Sequence, residues 1–169
     1  MKILGLCGSL RPESSNARLL RAARTYLSVH DWTEFDLASL SYFDPVRQYD
    51  DVPSEVSGFR SLAGASDLIL IATPEYAHGI PGVLKNGLEW LFCDATIRRP
   101  VAVIVGSGLG RAVRDQLLDV LRIMDFAISP DRFLLIQGSQ PKIDAAAEIA
   151  DADTRAAFED FLDRMVGAV

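Results

Sequence analysis

Apolar residues in this chain fall into two alternating patterns. Short continuous runs occur at residues 2–7 (KILGLC), 67–73 (DLILIAT), 101–105 (VAVIV) and 133–136 (FLLI). Runs of this length and density read as strands buried on both faces of a sheet. Residues 32–37 (WTEFDL) alternate apolar with polar and read as a further strand. Between these runs, apolar positions recur every three or four residues over 14–28, 81–91, 111–124 and 154–166, with a shorter helical candidate over 54–65. Ser14 or Ser15 suits the N-cap of the first helix, and Pro81 suits the first turn of the helix that follows residues 67–73.

Strict alternation of strand and helix predicts an α/β protein with parallel strands, because right-handed crossover helices return the chain to the same sheet edge. Five strands in this length fit a flavodoxin-like sheet of order 2-1-3-4-5, with helices on both faces, better than a six-stranded dinucleotide fold. The chain carries no repeat, low-complexity tract or linker, so residues 1–169 are expected to form a single domain. Sheets of this kind hold ligands outside the carboxyl ends of the strands, where the strand order reverses. That point lies between the first and third strands. The loops of interest are therefore 8–16, 74–82 and 106–110.

Composition narrows the ligand class. With 23 acidic and 17 basic residues the formal net charge is −6, which disfavours a nucleic-acid binder. The two cysteines, Cys7 and Cys93, form no Cys-x-x-Cys pair, so a zinc site or dithiol redox pair is not expected. Cys7 falls in a strand pattern and is expected to be a buried, inert thiol. No apolar run is long enough to span a membrane and no signal peptide precedes the first strand, so the expected location is the cytoplasm, with no membrane partner.

The first loop, GSLRPESSN (Gly8–Asn16), combines a strand-exit glycine with Ser9, Arg11, Ser14, Ser15 and Asn16 at a helix start. Helix-start amides attract anions, and hydroxyl, amide and guanidinium donors complete a cradle for a terminal phosphate. The alternative reading is an ordinary cap and turn. Neither GxxxxGK[ST] nor GxGxxG is present. The second loop, PEYAHGIPG (Pro74–Gly82), is a shaped turn whose amides and planar side chains Tyr76 and His78 could border a flat heterocycle; a cap for Glu75 and a packing role for Tyr76 are the plainer alternatives. The third, GSGLGR (Gly106–Arg111), lets backbone approach a ligand closely around Ser107 and Gly108.

Two of these stretches resemble the NADPH-dependent FMN reductase family, which includes quinone, chromate and azo-dye reductases. Gly8–Asn16 is similar to the family's GSLRxxSxN, and PEYAHGIPGVLKNGLEW (Pro74–Trp90) to its PEYNxSxPGxLKNxLDW. The resemblance implies non-covalent FMN, NADPH or NADH as co-substrate, and a small acceptor such as a quinone, azo compound, chromate or free flavin. It implies a homodimer or homotetramer, to which the apolar helix carrying Leu84, Leu88, Trp90 and Leu91 and its flanks would contribute, core packing being the plainer reading of that helix. By the same match Ser9, Arg11, Ser14 and Asn16, with Ser15 beside them, would hold the FMN phosphate. Pro74, Glu75, Tyr76, Ala77 and His78 would border the ring, and Ser107 and Gly108 would close its other side. The family's Asn and Ser are replaced by Ala77 and Gly79, and the third loop is shorter than usual, which implies a more open acceptor site.

No general acid or base is required, because the chemistry resides on the flavin. His78 is a candidate proton donor to the acceptor. Arg98, Arg99 and Arg111 are candidates for the 2′-phosphate of NADPH, against a plain surface role. Two other readings compete: a flavin-binding electron carrier with no nicotinamide site, and a small hydrolase using Ser9 or Ser107. The hydrolase lacks a GxSxG elbow.

Overall fold

In the computed structural model, which describes all residues from Met1 to Val169, the five predicted strands form one parallel sheet of order β2-β1-β3-β4-β5. The strands are β1 (Lys2–Cys7), β2 (Asp31–Phe35), β3 (Leu68–Thr73), β4 (Val101–Ser107) and β5 (Phe133–Gln137). The helices are α1 (Ser15–Tyr26), α2 (Ser54–Ala65), α3 (Gly82–Trp90), α4 (Arg111–Ile123) and α5 (Ala152–Gly167). The expected alternation and strand order are both present. Element ends move by a few residues. β4 extends two residues beyond the apolar run, because Gly106 and Ser107 continue the ladder against Ile136 and Gln137.

The two-residue period of the strands sorts the core into two layers. Leu4, Leu6, Ile69, Ile71, Val101, Val103 and Val105 point to one face, where Phe59 of α2, Leu84 and Trp90 of α3, and Leu117 of α4 cover them. Ile3, Leu68, Leu70, Ala102 and Ile104 point to the other face, under Leu19 and Leu20 of α1 and Phe158 and Phe161 of α5. β3 is buried along its whole length, as its unbroken aliphatic run requires. Leu84, Leu88, Trp90 and Leu91 are fully internal. The apolar face of α3 is thus core, the plainer of its two readings, which leaves only the flanks of the helix for contact with a partner.

The patterns of sequence gave no element between β5 and α5. There a short 3₁₀ turn at Gln140–Lys142 and an isolated bridge between Ile143 and Ile149 carry the chain back across the sheet. Both isoleucines are buried.

Parallel strands send every strand-to-helix loop out at the same sheet edge. The loops after β1, β3 and β4 therefore meet there. The opposite edge receives residues that precede strands. Arg98 and Arg99 come just before β4, and Arg99 Nη1 donates to the carbonyl of Ser66, just before β3, at 3.0 Å. Arg98 faces Asp125 at 3.6 Å. Neither can reach the crevice, and the expectation that placed them near it is corrected. Arg111, the first residue of α4, lines a surface pocket with Gln137, Lys142, Asp151 and Asp153.

Close approach of backbone to side chain fixes Gly106. A Cβ there would lie 2.7 Å from Asn16 Oδ1 and 2.8 Å from Leu19 Cδ1. Gly106→Ala is expected to lose about 1–3 kcal/mol of stability through overpacking, read as a lowered denaturation midpoint with an unchanged m-value.

Candidate functional site: a crevice framed by three tied loops

The first loop leaves β1 under the control of Gly8, whose amide donates to Ala72 O at 2.8 Å. Ser14 is the N-cap of α1; its Oγ accepts from Ala17 N at 3.1 Å and keeps its own proton to donate. The Ser15 and Asn16 amides, in the first turn of α1, find no protein acceptor. Arg11 is exposed and has no acidic partner. Ser9 Oγ accepts from the Arg11 amide at 3.3 Å and lies 3.4 Å from Tyr76 Oη. The Cys7 thiol donates to Ser9 O at 3.5 Å, and burial pushes its pKa up, so it stays protonated and unreactive.

Two members of the expected phosphate cradle have their side chains committed elsewhere. Asn16 is 1% exposed. Its Nδ2 donates to Gly106 O at 2.8 Å, and its Oδ1 accepts from Gly106 N at 3.0 Å. Its carboxamide thus pairs with both polar groups of Gly106 across the sheet edge. Ser15 Oγ accepts from Ser139 Oγ at 2.9 Å, tying α1 to the loop after β5. The Ser15 hydroxyl keeps its own proton to donate, whereas of Asn16 only the backbone amide remains for a ligand.

The second loop is a two-residue hairpin. Tyr76 N donates to Gly79 O at 3.2 Å, and Gly79 N to Tyr76 O at 2.9 Å. Ala77 and His78 between them both adopt left-handed backbone, with φ of 49° and 56°, the sign that a type I′ turn demands at both central positions. Asparagine and glycine adopt this conformation readily; alanine and histidine cost roughly 1–2 kcal/mol each. The replacement of the resembling motif's Asn by Ala77 therefore carries a backbone cost as well as the loss of a polar side chain.

Glu75 turns away from solvent, its side chain 7% exposed. Its Oε2 accepts from Val113 N at 3.2 Å, capping α4 from another loop in place of the side chain that Gly110 lacks. The cap reading of Glu75 is the one the geometry supports. His78 Nδ1 lies 3.5 Å from Glu75 Oε1, but its side chain is 79% exposed. Tyr76 is half exposed, its ring bordering the crevice.

The third loop runs from Ser107 through Gly108 and Leu109 to Gly110. No amide from Gly108 to Ala112 meets a protein acceptor. A Cβ on Gly108 would meet nothing. The loop is held from behind: Gly138 N donates to Ser107 O at 2.8 Å, and Gln137 Nε2 to Leu109 O at 3.2 Å.

Sequence reading did not single out Gln116, Gln137 or Ser139, because each acts from an element remote in sequence from the loop it holds. Gln116 Nε2 donates to His78 O at 3.0 Å, and its Oε1 accepts from Ile80 N at 3.3 Å. Gln116 lies in the second turn of α4 on its polar face, where no local pattern sets it apart from its neighbours.

With this geometry in place, comparison with known proteins is specific. The sequence profile described as NADPH-dependent FMN reductase matches residues 1–140. The chain is 30% identical over an alignment 173 positions long, gaps included, to a 2-hydroxy-1,4-benzoquinone reductase of a Burkholderia species, covering 97% of this chain and 93% of that one. It is 31% identical over an alignment of 165 positions to an NAD(P)H-dependent FMN reductase of Pseudomonas aeruginosa, covering 92% and 88%. The fold is similar to that of the flavoenzyme NAD(P)H:acceptor oxidoreductase FerB of Paracoccus denitrificans. That match has a TM-score of 0.84 at 21% identity and covers 98% of this chain and 95% of that one.

Asn16→Ala would leave both the amide and the carbonyl of Gly106 unpaired inside the protein. A loss of about 2–4 kcal/mol is expected, measured by urea denaturation, with Asn16→Asp intermediate because a carboxylate still accepts from the amide but opposes the carbonyl.

Proposed function

The chain belongs to the NADPH-dependent FMN reductase family, and on that premise we propose that it binds FMN in the crevice and reduces a small acceptor at the expense of NADPH or NADH. The observation that carries the reading is the set of unpaired donors gathered at one sheet edge. Arg11 and the amides of Ser15 and Asn16 lie on one side, and the amides of Gly108–Ala112 on the other. Such donors suit a dianionic phosphate and an electron-rich ring edge.

The residues fit the cofactor in detail. Arg11, the Ser14 hydroxyl, Ser9 Oγ and the Ser15 and Asn16 amides would hold the phosphate. Pro74, Tyr76 and the backbone of Ala77 and His78 would border the ring, and Ser107 and Gly108 would face it from the other loop. Bound FMN supplies two-electron transfer between the nicotinamide and an oxidised acceptor such as a quinone, azo compound, chromate or free flavin. The chain contributes fixed dipoles, so no side chain has to ionise during turnover. The amides of the third loop favour negative charge on whatever lies against them. The half-exposed ring of Tyr76 walls the crevice yet leaves its mouth accessible to a planar acceptor. His78, exposed beside that mouth, is placed to donate a proton outward to a bound acceptor. Arg111, exposed and without an acidic partner at the edge of the third loop, is the remaining candidate for the 2′-phosphate.

A homo-oligomer, dimer or tetramer, also belongs to this reading. Tyr42, Val46 and Phe92 are exposed along the flank of α3, where Asn86 and Trp90 pin the 41–43 segment by bonds to Ser41 O and Phe43 N. Such a patch suits self-association. No helix is long and apolar enough to cross a membrane, and both cysteines are free. These features suit the reducing cytoplasm.

FMN-reconstituted protein is expected to bleach anaerobically on adding NADPH or NADH and to recolour on adding a benzoquinone. A flavin carrier without a nicotinamide site would stay yellow. Arg11→Ala is expected to weaken FMN binding by about 1.5–3 kcal/mol, measured by quenching of flavin fluorescence. Unchanged affinity would overturn the phosphate assignment. His78→Ala leaves the reading intact whatever its pH profile, but an unchanged profile for quinone reduction removes His78 as proton donor.

A further inference from the structure

The Ala77–His78 turn poses a conformational problem. Two successive non-glycine residues sit in left-handed backbone at the wall of the crevice. Their own amides donate to nothing in the protein. The hairpin pair between Tyr76 and Gly79 demands left-handed backbone at both central positions, and alanine and histidine are poorly suited to it. A restraint from outside the turn is needed to offset that cost.

Gln116 meets that need. It sits on α4, whose first turn is capped by Glu75 of the same loop, so helix and loop are already in register. Its carboxamide straddles the turn, accepting from Ile80 N on one side and donating to His78 O on the other. The His78 carbonyl can be reached in this way only while the peptide after His78 keeps its present orientation. Gly79 leaves room for the amide group, since a Cβ there would lie 3.1 Å from Gln116 Oε1. The contact thus uses a glutamine-length amide and a left-handed turn, and Gly79 gives the amide clearance.

We propose that Gln116 is a positioning residue that holds the Ala77–His78 turn in its left-handed form and so fixes the direction in which the Ala77 and His78 amides face the crevice. The inference rests on the reading of that crevice as an FMN site for its functional consequence, but the clamp is a property of the ligand-free chain. The resembling motif has Asn where this chain has Ala77, and Asn tolerates left-handed backbone better than alanine does; here the restraint comes from Gln116 on a different element.

The test is rescue. Gln116→Ala and Gln116→Glu both lose the donor to His78 O. In the ligand-free protein, amide hydrogen exchange at Tyr76 and Gly79 is expected to accelerate in both variants, while α4 amides beyond Gln116 keep their protection. Adding Ala77→Asn with His78→Gly, the pair that most favours a type I′ turn, is expected to restore slow exchange without Gln116. With FMN, the single variants are expected to bind about tenfold more weakly and to shift the visible bands of the bound flavin. The Asn-Gly background is expected to reverse both effects. Unchanged exchange at Gly79 in Gln116→Ala overturns the proposal, as does loss that the Asn-Gly turn fails to repair, which would assign Gln116 to the packing of α4. If wild-type protein bound no FMN, the reading of the crevice would fall, and the exchange data would still decide for or against the clamp.

Discussion

The pairing of the Asn16 carboxamide with the backbone of Gly106 is the contact on which the crevice depends. It joins the start of α1 to the end of β4, two segments ninety residues apart in sequence, through two buried bonds. A buried amide and carbonyl left without partners are costly, so the first and third loops keep their separation. The second loop is brought in by Tyr76 toward Ser9 and by Glu75 and Gln116 toward α4. Each of the three loops is therefore tied to the other two. The donors left unpaired are those that face the space between them.

Much of this was legible in the sequence. The continuous aliphatic runs of β1, β3 and β4 could be accommodated only between two helical layers, and alternation with helices left parallel order as the consistent solution. The position of the crevice followed from topology. The identity of the loops that frame it followed from their composition, and the resemblance to the NADPH-dependent FMN reductase family agrees with the matching profile. What could not be read was the division of labour inside a loop. Asn16 and Ser15 are small polar residues like Ser9 and Ser14, and local pattern cannot tell a side chain open to the crevice from one bound to another strand end. That distinction is made by Gly106 and Ser139, which come into contact only when the sheet is assembled.

The same limit explains the two arginines before β4 and the role of α3. In sequence, Arg98 and Arg99 stand close to the third loop. In the sheet they stand a strand length away, because β4 lies between them and Gly106. The apolar face of α3 was compatible with a partner as well as with the core; burial of Trp90 and Leu91 decides for the core. Distance along a chain misleads most where a strand separates two residues, and helical periodicity reports that a face is covered without reporting by what.

The side chains most open to variation lie outside this frame. Leu10 and Leu109 are 64% and 62% exposed, one on the first loop and one on the third. The Leu109 carbonyl is held by Gln137, but its side chain holds nothing. Exchange of these two residues would repaint the entrance while leaving Asn16, Glu75 and Gln116 undisturbed, so the shape offered to an acceptor is separable from the scaffold that holds the loops.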